Sequence, residues 1–172
     1  MSMDEHVHCR KYRGRTIRHA WVGDAAVVPS RVHAIAFTAD GTILLVGGGQ
    51  GAPDGAEWWL PGGGIESGET PEAALARELM EEAAATAEAL RPLGAQRVDD
   101  PVTGSEFHVF YWARITLAEA YAPQHEIAAR RLVRPDMFLS ALVWGHRTMA
   151  AMLLDRALAV ERDLLGQVTP PE

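Results

Sequence analysis

The chain has 172 residues, 48% of them hydrophobic and 23% charged, with a net charge of −7. That suits one globular domain with a real core, and the acidic balance argues against general nucleic-acid binding, which needs clustered positive charge. A single cysteine, Cys9, excludes an internal disulfide; residues 1–20 are polar and basic without a signal-peptide core, and no apolar run reaches membrane-span length, so the expectation is a cytoplasmic protein that does not enter a membrane.

In chain order, residues 1–30 read as an N-terminal extension. His6–Arg18 is locally basic, and Arg13-Gly14-Arg15 fits a turn between two short strands anchored by Tyr12, Ile17 and Trp21. The plain reading is a solvated basic hairpin. The functional one is a patch that meets an anionic substrate or a partner subunit's acidic surface. Val32–Phe37 and Ile43–Val46 are apolar and branched, and Asp40-Gly41 between them signals a hairpin. Gly47–Glu57 is glycine-rich but lacks the Lys-Ser/Thr of a P-loop and the Rossmann spacing before a helix. It reads as a surface connection, with closure over a substrate as the alternative. Strand alternation puts Trp58 and Trp59 on opposite faces, so one enters the core and the other can wall a site.

The most informative stretch runs from Trp58 to Ala85. Thr70 suits a helix N-cap, Pro71 the first helical position, and Glu72 the positive end of the helix dipole. Leu75, Leu79 and Ala83 form an apolar face at four-residue spacing. Glu78, Glu81 and Glu82 crowd one side of the same helix, where like charges repel by roughly 0.2–0.5 kcal/mol per pair. A solvated acidic face is the plain explanation. The preceding Gly62-Gly63-Gly64 favours another, because glycine lets backbone approach a ligand closely. Three carboxylates beside such a loop form a hard-oxygen site for Mg²⁺ or Mn²⁺.

This arrangement resembles the box of the Nudix hydrolase family, G-x5-E-x7-R-E-U-x-E-E-x-G-U, where U is a bulky aliphatic residue. Gly63 is followed at the family's spacing by Glu69 and then by Arg77-Glu78-Leu79-Met80-Glu81-Glu82; Leu60-Pro61-Gly62, Ile65-Glu66 and Gly68 also fit. The chain departs at the end of the box, with Ala84 for the last glycine and Ala85 for the last aliphatic residue. The box glycine would end the helix in a left-handed turn. With alanine there, the expectation is a slightly extended helix through the alanine-rich Ala83–Ala87.

Beyond the box, local propensity carries helix to about Arg91, whereas the resemblance predicts a strand near Ala87–Val98; Leu93–Val98 is assigned to the strand. Asp99–Gly104 is rich in turn residues, and Glu106–Ile115 alternates as a strand. Phe107, Val109, Tyr111 and Ala113 share one of its faces, and His108, Phe110 and Trp112 the other. His108 reads as a structural or wet residue rather than a metal ligand. Arg130–Val133 reads as a strand, Met137–Leu142 as a short helical turn, and Trp144–Leu165 as a long helix with Met149, Leu153, Leu154, Leu158 and Leu164/Leu165 in an apolar stripe. Gln167–Glu172 is a loose tail.

The resemblance implies an α/β fold: a Nudix-like α/β/α sandwich over residues 31–166, with a mixed central β-sheet between the box helix and the long C-terminal helix. It implies hydrolysis of a nucleoside diphosphate linked to another group, by water attack with a divalent metal. The carbonyl of Gly63 and the carboxylates of Glu78, Glu81 and Glu82 would hold the metal, with Glu81 or Glu78 handling the attacking water and Arg77 positioning a neighbouring glutamate. Glu126 sits where family members often carry a further ligand or base, with Glu119 as its competitor. Arg31, Trp59, Arg97 and Tyr111 are candidates for the substrate wall. A homodimer is expected from the N-terminal extension and the apolar helix stripe. Two rivals are a nucleotide sensor without turnover, opposed by the complete set of box carboxylates, and an isomerase on the same fold, whose extra catalytic cysteine is not evident.

Overall fold

The computed structural model describes residues 7–48, 57–121, 127–143 and 146–168. Its chain begins with strands β1 (Val7–Tyr12) and β2 (Arg15–Gly23), antiparallel across Arg13-Gly14. Both turn residues have positive φ, 47° and 78°, the conformation that matches the twist of a tight hairpin. The hairpin predicted here is therefore present, and it lies in the sheet, with β2 antiparallel to β7 (Ala85–Asp100).

β3 (Arg31–Phe37) and β4 (Ile43–Gly48) form the second predicted hairpin, with Gly41 at φ 81° in its turn. The short strands β5 (Glu57–Trp59) and β6 (Gly62–Gly64) lead into helix α1 (Pro71–Ala83). After β7 come β8 (Gly104–Leu117), β9 (Ile127–Val133), helix α2 (Pro135–Ala141) and helix α3 (Arg147–Val168). The strand order is β1-β2-β7-β8-β3-β4-β5, with β6 on β3 and β9 on β4. β3 runs parallel to β8 while its pairing with β4 is antiparallel, so the sheet is mixed.

Alternating side chains divide the core between the two faces. Val32, Ala34, Ala36, Leu44 and Val46 point to α1 and meet Leu75, Leu79 and Ala83. Ile35, Phe37, Ile43, Leu45, Phe110 and Trp112 point the other way, to Phe138 of α2 and Met149 and Leu153 of α3. Each of the Val, Leu, Ile, Met and Phe side chains here stabilises the fold by about 1.5–3 kcal/mol through burial. This is the expected sandwich of a mixed sheet between the box helix and the C-terminal helix. Trp58 enters the second core at 8% exposure, while Trp59 is half-buried on the opposite face.

Three expectations need correction. α1 does not extend through Ala83–Ala87: Ala84 adopts the left-handed conformation, φ 48° and ψ 44°, its N–H bonds back to Leu79 and Met80, and β7 begins at Ala85. β7 is longer than Leu93–Val98, running from Ala85 to Asp100, because Ala85–Ala87 and Ala89–Arg91 pair with β8 against their largely helical propensity. Tertiary pairing outweighs the small per-residue preference. The long helix starts at Arg147, and of its predicted stripe Met149, Leu153 and Leu154 are buried. Trp144 and Gly145 lie outside the described residues, as do 49–56 of the glycine-rich connection and 169–172 of the tail.

Candidate active site

β6 brings the glycine loop against β3, with Gly62 opposite His33, Gly63 opposite Val32 and Gly64 opposite Arg31. A Cβ on Gly62, whose φ is 139°, would lie 2.1 Å from the Val32 carbonyl oxygen. One on Gly63 would lie 2.3 Å from Glu78 Oε1. The first glycine lets the strands close; the second leaves room for a carboxylate from the helix. α1 then starts as predicted, with the Thr70 hydroxyl accepting from the Ala73 N–H and Pro71 in the first turn.

Arg77 ties loop to helix. Its Nε donates to Glu69 Oε1 at 2.9 Å and its Nη2 to Glu69 Oε2 at 3.0 Å. The same Nη2 donates to the Gly64 carbonyl at 3.0 Å, and Nη1 reaches Glu78 Oε1 at 2.9 Å and Glu81 Oε2 at 3.4 Å. The guanidinium hydrogen bond holds the Glu69 carboxyl at about 2, well below the usual carboxylate range. Glu82 is on the same helix side but turns to the loop, accepting from the Gly62 N–H at 2.9 Å. Burial pushes its carboxyl up to about 7; the nearby Glu78 and Glu81 add to the rise, while the Gly62 bond and Arg31 oppose it.

The carboxylates are thus satisfied one by one. Among the described residues no three acidic, histidine or cysteine side chains are gathered as a ready-made metal cage. Even so, the chemistry suits a hard divalent cation. Glu78 and Glu82 are oxygen donors on one helix turn, the glycine cradle admits Glu78 against backbone, and the pressure on Glu82 is what added positive charge relieves. Mg²⁺ or Mn²⁺ fits these residues, in competition with Arg77 for Glu78.

The remaining predicted residues are scattered. Arg31 starts β3 beside the loop, opposite Gly64 and His108, close enough for its charge to act on Glu82. Trp59 leads into the loop from β5. Arg97 lies two strands away from β3, on β7, held by Asp99 at 2.7 Å and Ser105 at 3.2 Å. Tyr111 is buried under the box helix, its hydroxyl donating to Glu72 at 2.7 Å; burial first, then Glu72, raises its pKa and keeps the phenol neutral. It braces the helix start and is not brought to the glycine loop. Glu126 lies outside the described residues, and Glu119 is in the segment after β8.

Two further groups shape the surroundings of the site. His33 is half-buried behind Gly62 against His108 and Phe110, ring centroids 5.6 and 5.7 Å away, and desolvation there lowers its pKa to about 3, so it is neutral. At the far end of α1, Tyr121 donates to the Glu82 carbonyl and Arg130 to the carbonyls of Ala83 and Ala118. No periodicity or motif marks these contacts, which join residues distant in sequence.

A family model described as the NUDIX domain matches residues 28–153. An RNA pyrophosphohydrolase of Gluconacetobacter diazotrophicus is 46% identical over 66 residues, 34% of this chain and 40% of that protein. An 8-oxo-(d)GTP phosphatase of Mycolicibacterium smegmatis is 38% identical over 71 residues, 41% of this chain and 21% of that one. The chain thus spans well under half the length of these curated relatives. Among solved structures, a NUDIX hydrolase of Nitrosomonas europaea superposes with TM-score 0.60 at 16% identity, covering 77% of this chain and 90% of that one. The Bacillus subtilis pyrophosphohydrolase BsRppH gives 0.57 at 24%, over 73% and 77%. At these identities the two structures speak for the fold alone.

Proposed function

The chain belongs to the Nudix family, and from that premise we propose that it is a metal-dependent hydrolase that cleaves the diphosphate linkage of a nucleoside diphosphate joined to another group. The observation that carries this reading is the arrangement around Arg77, which places Glu78 against Gly63 and keeps Glu81 and Glu82 on the same helix side. The pyrophosphohydrolase and nucleotide phosphatase among the relatives support the substrate class.

In this reading Glu78, Glu81, Glu82 and the Gly63 carbonyl hold Mg²⁺, or Mn²⁺ in its place. The ion supplies positive charge against the anionic diphosphate and lowers the pKa of water. The protein's own residues do the rest. Arg77 fixes the carbonyl side of the loop and the carboxylate side of the helix relative to each other. Glu81 is held by a single 3.4 Å contact and is 40% exposed, so it is the freest of the three to move. It takes the proton as the water oxygen attacks phosphorus, the bridging P–O bond breaks, and the leaving phosphate carries the electron pair away. Glu78 is the alternative base, and Glu126 a further one. In this reading Arg31, at the start of β3 and close enough for its charge to act on Glu82, meets the phosphates.

Mg²⁺-dependent release of phosphate or pyrophosphate from a nucleotide panel tests the reading. Activity is expected to vanish with EDTA and to fall at least about 100-fold in Glu82→Gln and Glu81→Gln. Full activity in both variants would sink it. We also read the protein as a homodimer, which light scattering of the purified protein tests.

A further inference from the structure

The box helix ends where its own sequence argues against ending. An α-helix leaves its last carbonyls without partners, and glycine in the left-handed position is the usual stop. Here alanine takes that position, with φ 48°. The five residues Ala83–Ala87 favour more helix, apart from Thr86. If α1 continued, the Glu82 carbonyl would accept from the Thr86 N–H and the Ala83 carbonyl from the Ala87 N–H, by the ordinary i to i+4 pattern.

Both carbonyls are taken by other groups. Tyr121 donates its hydroxyl to the Glu82 carbonyl at 3.0 Å. Arg130, on β9, donates Nη1 to the Ala83 carbonyl and Nη2 to the Ala118 carbonyl, both at 2.6 Å. The guanidinium lies 4.7 Å from the Tyr121 ring centroid, so the two side chains also hold each other. The Ala118 N–H closes the knot by donating to the Ala84 carbonyl at 2.9 Å. No basic residue sits in the last turn of α1 itself, so Arg130 brings the cation that the negative end of the helix dipole favours.

We propose that Arg130 and Tyr121 are positioning residues that do the work of the missing glycine: by occupying the Glu82 and Ala83 carbonyls they stop α1 and hold its last turn, with Glu81 and Glu82, in register with the glycine loop. The same knot fixes the start of the segment after β8 at Ala118. This rests on the proposed function for its catalytic consequence, though not for the helix stop itself.

The test compares wild type with Arg130→Ala, Tyr121→Phe, Ala84→Gly and the double variant Arg130→Ala/Ala84→Gly. Three quantities are read: kcat and KM on a nucleotide from the panel, Mn²⁺ affinity by titration, and hydrogen exchange of the amides at 84–88. Arg130→Ala is expected to lose about 10- to 100-fold in kcat and in Mn²⁺ affinity, with KM little changed, the range typical for residues that orient metal ligands. Its exchange at 84–88 should change as the helix end slips. Ala84→Gly restores the stop, so the double variant should regain most of the kcat, the affinity and the wild-type exchange pattern. Tyr121→Phe, which loses one hydroxyl, should show the same changes in smaller degree and serves if Arg130→Ala does not fold. Unchanged kcat, Mn²⁺ affinity and exchange in Arg130→Ala and Tyr121→Phe would overturn the proposal. So would a loss that Ala84→Gly fails to repair and that appears in KM, since Arg130 would then be meeting substrate. If wild type hydrolyses nothing, the proposed function fails, and exchange and Mn²⁺ affinity still decide the helix stop.

Discussion

Arg77 and Glu69 face each other as a two-pronged ion pair, Nε to Oε1 at 2.9 Å and Nη2 to Oε2 at 3.0 Å, across the junction of glycine loop and helix. The pair fixes the plane of the guanidinium, and that plane sets where Nη1 meets Glu78 and Nη2 meets the Gly64 carbonyl. Lysine keeps the charge but has no planar fork, so it cannot serve all these acceptors. Arg77→Lys is therefore expected to lower kcat by about 10- to 100-fold, as loss of ligand-orienting contacts typically does. Glu69→Gln, which keeps the shape and one acceptor oxygen, should lose less. Steady-state kinetics at saturating Mg²⁺ compares them; equal rates for Arg77→Lys and wild type would refute the orienting role.

The two loop glycines should respond differently to alanine. On Gly63 the three atoms nearest the new methyl all belong to the Glu78 carboxylate, the closest 2.3 Å from its ideal position. A side chain can swing away, so Gly63→Ala should fold and melt near wild type while losing most activity and metal affinity. On Gly62 the methyl meets the Val32 carbonyl at 2.1 Å, where φ is 139°. Backbone cannot yield as easily, and the β3–β6 pairing has to open, at a cost of at least about 1–3 kcal/mol by analogy with overpacked cores. Thermal melting together with Mn²⁺ titration separates the two cases. A Gly63→Ala variant that binds Mn²⁺ as wild type does would show that Glu78 is not a ligand.

Much of this was legible in the sequence because the strongest signals are local. Thr70-Pro71 starts the helix where capping chemistry places it, Leu75 and Leu79 turn inward by their spacing, and Asp40-Gly41 makes its hairpin. What the sequence hid was decided by contacts over long separations. Ala85–Arg91 has a largely helical composition yet pairs with β8, which offers backbone partners along this stretch, with irregularities at Ala87/Ala89 and Pro92/Gly94. Tyr111, a candidate for the substrate wall, lies on the face covered by α1, where Glu72 takes its hydroxyl. The stop at Ala84 depends on Arg130, 46 positions on, which no local rule connects to the box.

A buried polar network on the other side of the sheet should govern stability without touching the site. Glu161 of α3 is 9% exposed and accepts from Trp112 Nε1 at 2.7 Å and from Arg114 Nη2 at 2.7 and 2.9 Å. Arg114 also donates to the Thr38 carbonyl at 2.6 Å. Glu161→Leu fills the space but leaves a half-buried guanidinium and an indole N–H without their acceptor. Removing one partner of such a pair costs about 3–5 kcal/mol; partial solvent access to Arg114 places this case at or below the lower end. At roughly 2–4 °C per kcal/mol for a chain of this size, the melting temperature should drop by about 5–10 °C, with kcat at low temperature unchanged. Calorimetry and kinetics on one preparation check both halves, and a melting temperature within a degree of wild type would rule the network out as a stabiliser.

Acid should weaken the N-terminal hairpin's attachment through His8. Its ring stacks on His19 of β2 at 4.7 Å, with 6° between planes, and on His146 at the start of α3 at 5.1 Å. Burial first, and then the neighbouring His19 and His146, lower the His8 pKa to about 4. His19 is lowered as well, mainly by burial, with contributions from His108 and Arg10 and against the opposing influence of the nearby Gln96. The unfolded chain takes up these protons near the ordinary histidine value of 6.5, whereas the folded chain resists until about 4. Between those values the unfolded state binds more protons, so stability falls as pH falls. The full contribution is present above about pH 6.5, declines through the window and is gone below about pH 4. His8→Gln removes one titrating ring from the stack. Its melting temperature should therefore fall less than that of wild type when pH is lowered from 7 to 4.5, a comparison in which the carboxylates titrating in both proteins cancel. Parallel curves over this range would mean that His8 keeps its ordinary protonation in the folded chain and that the stack does not couple the hairpin to pH.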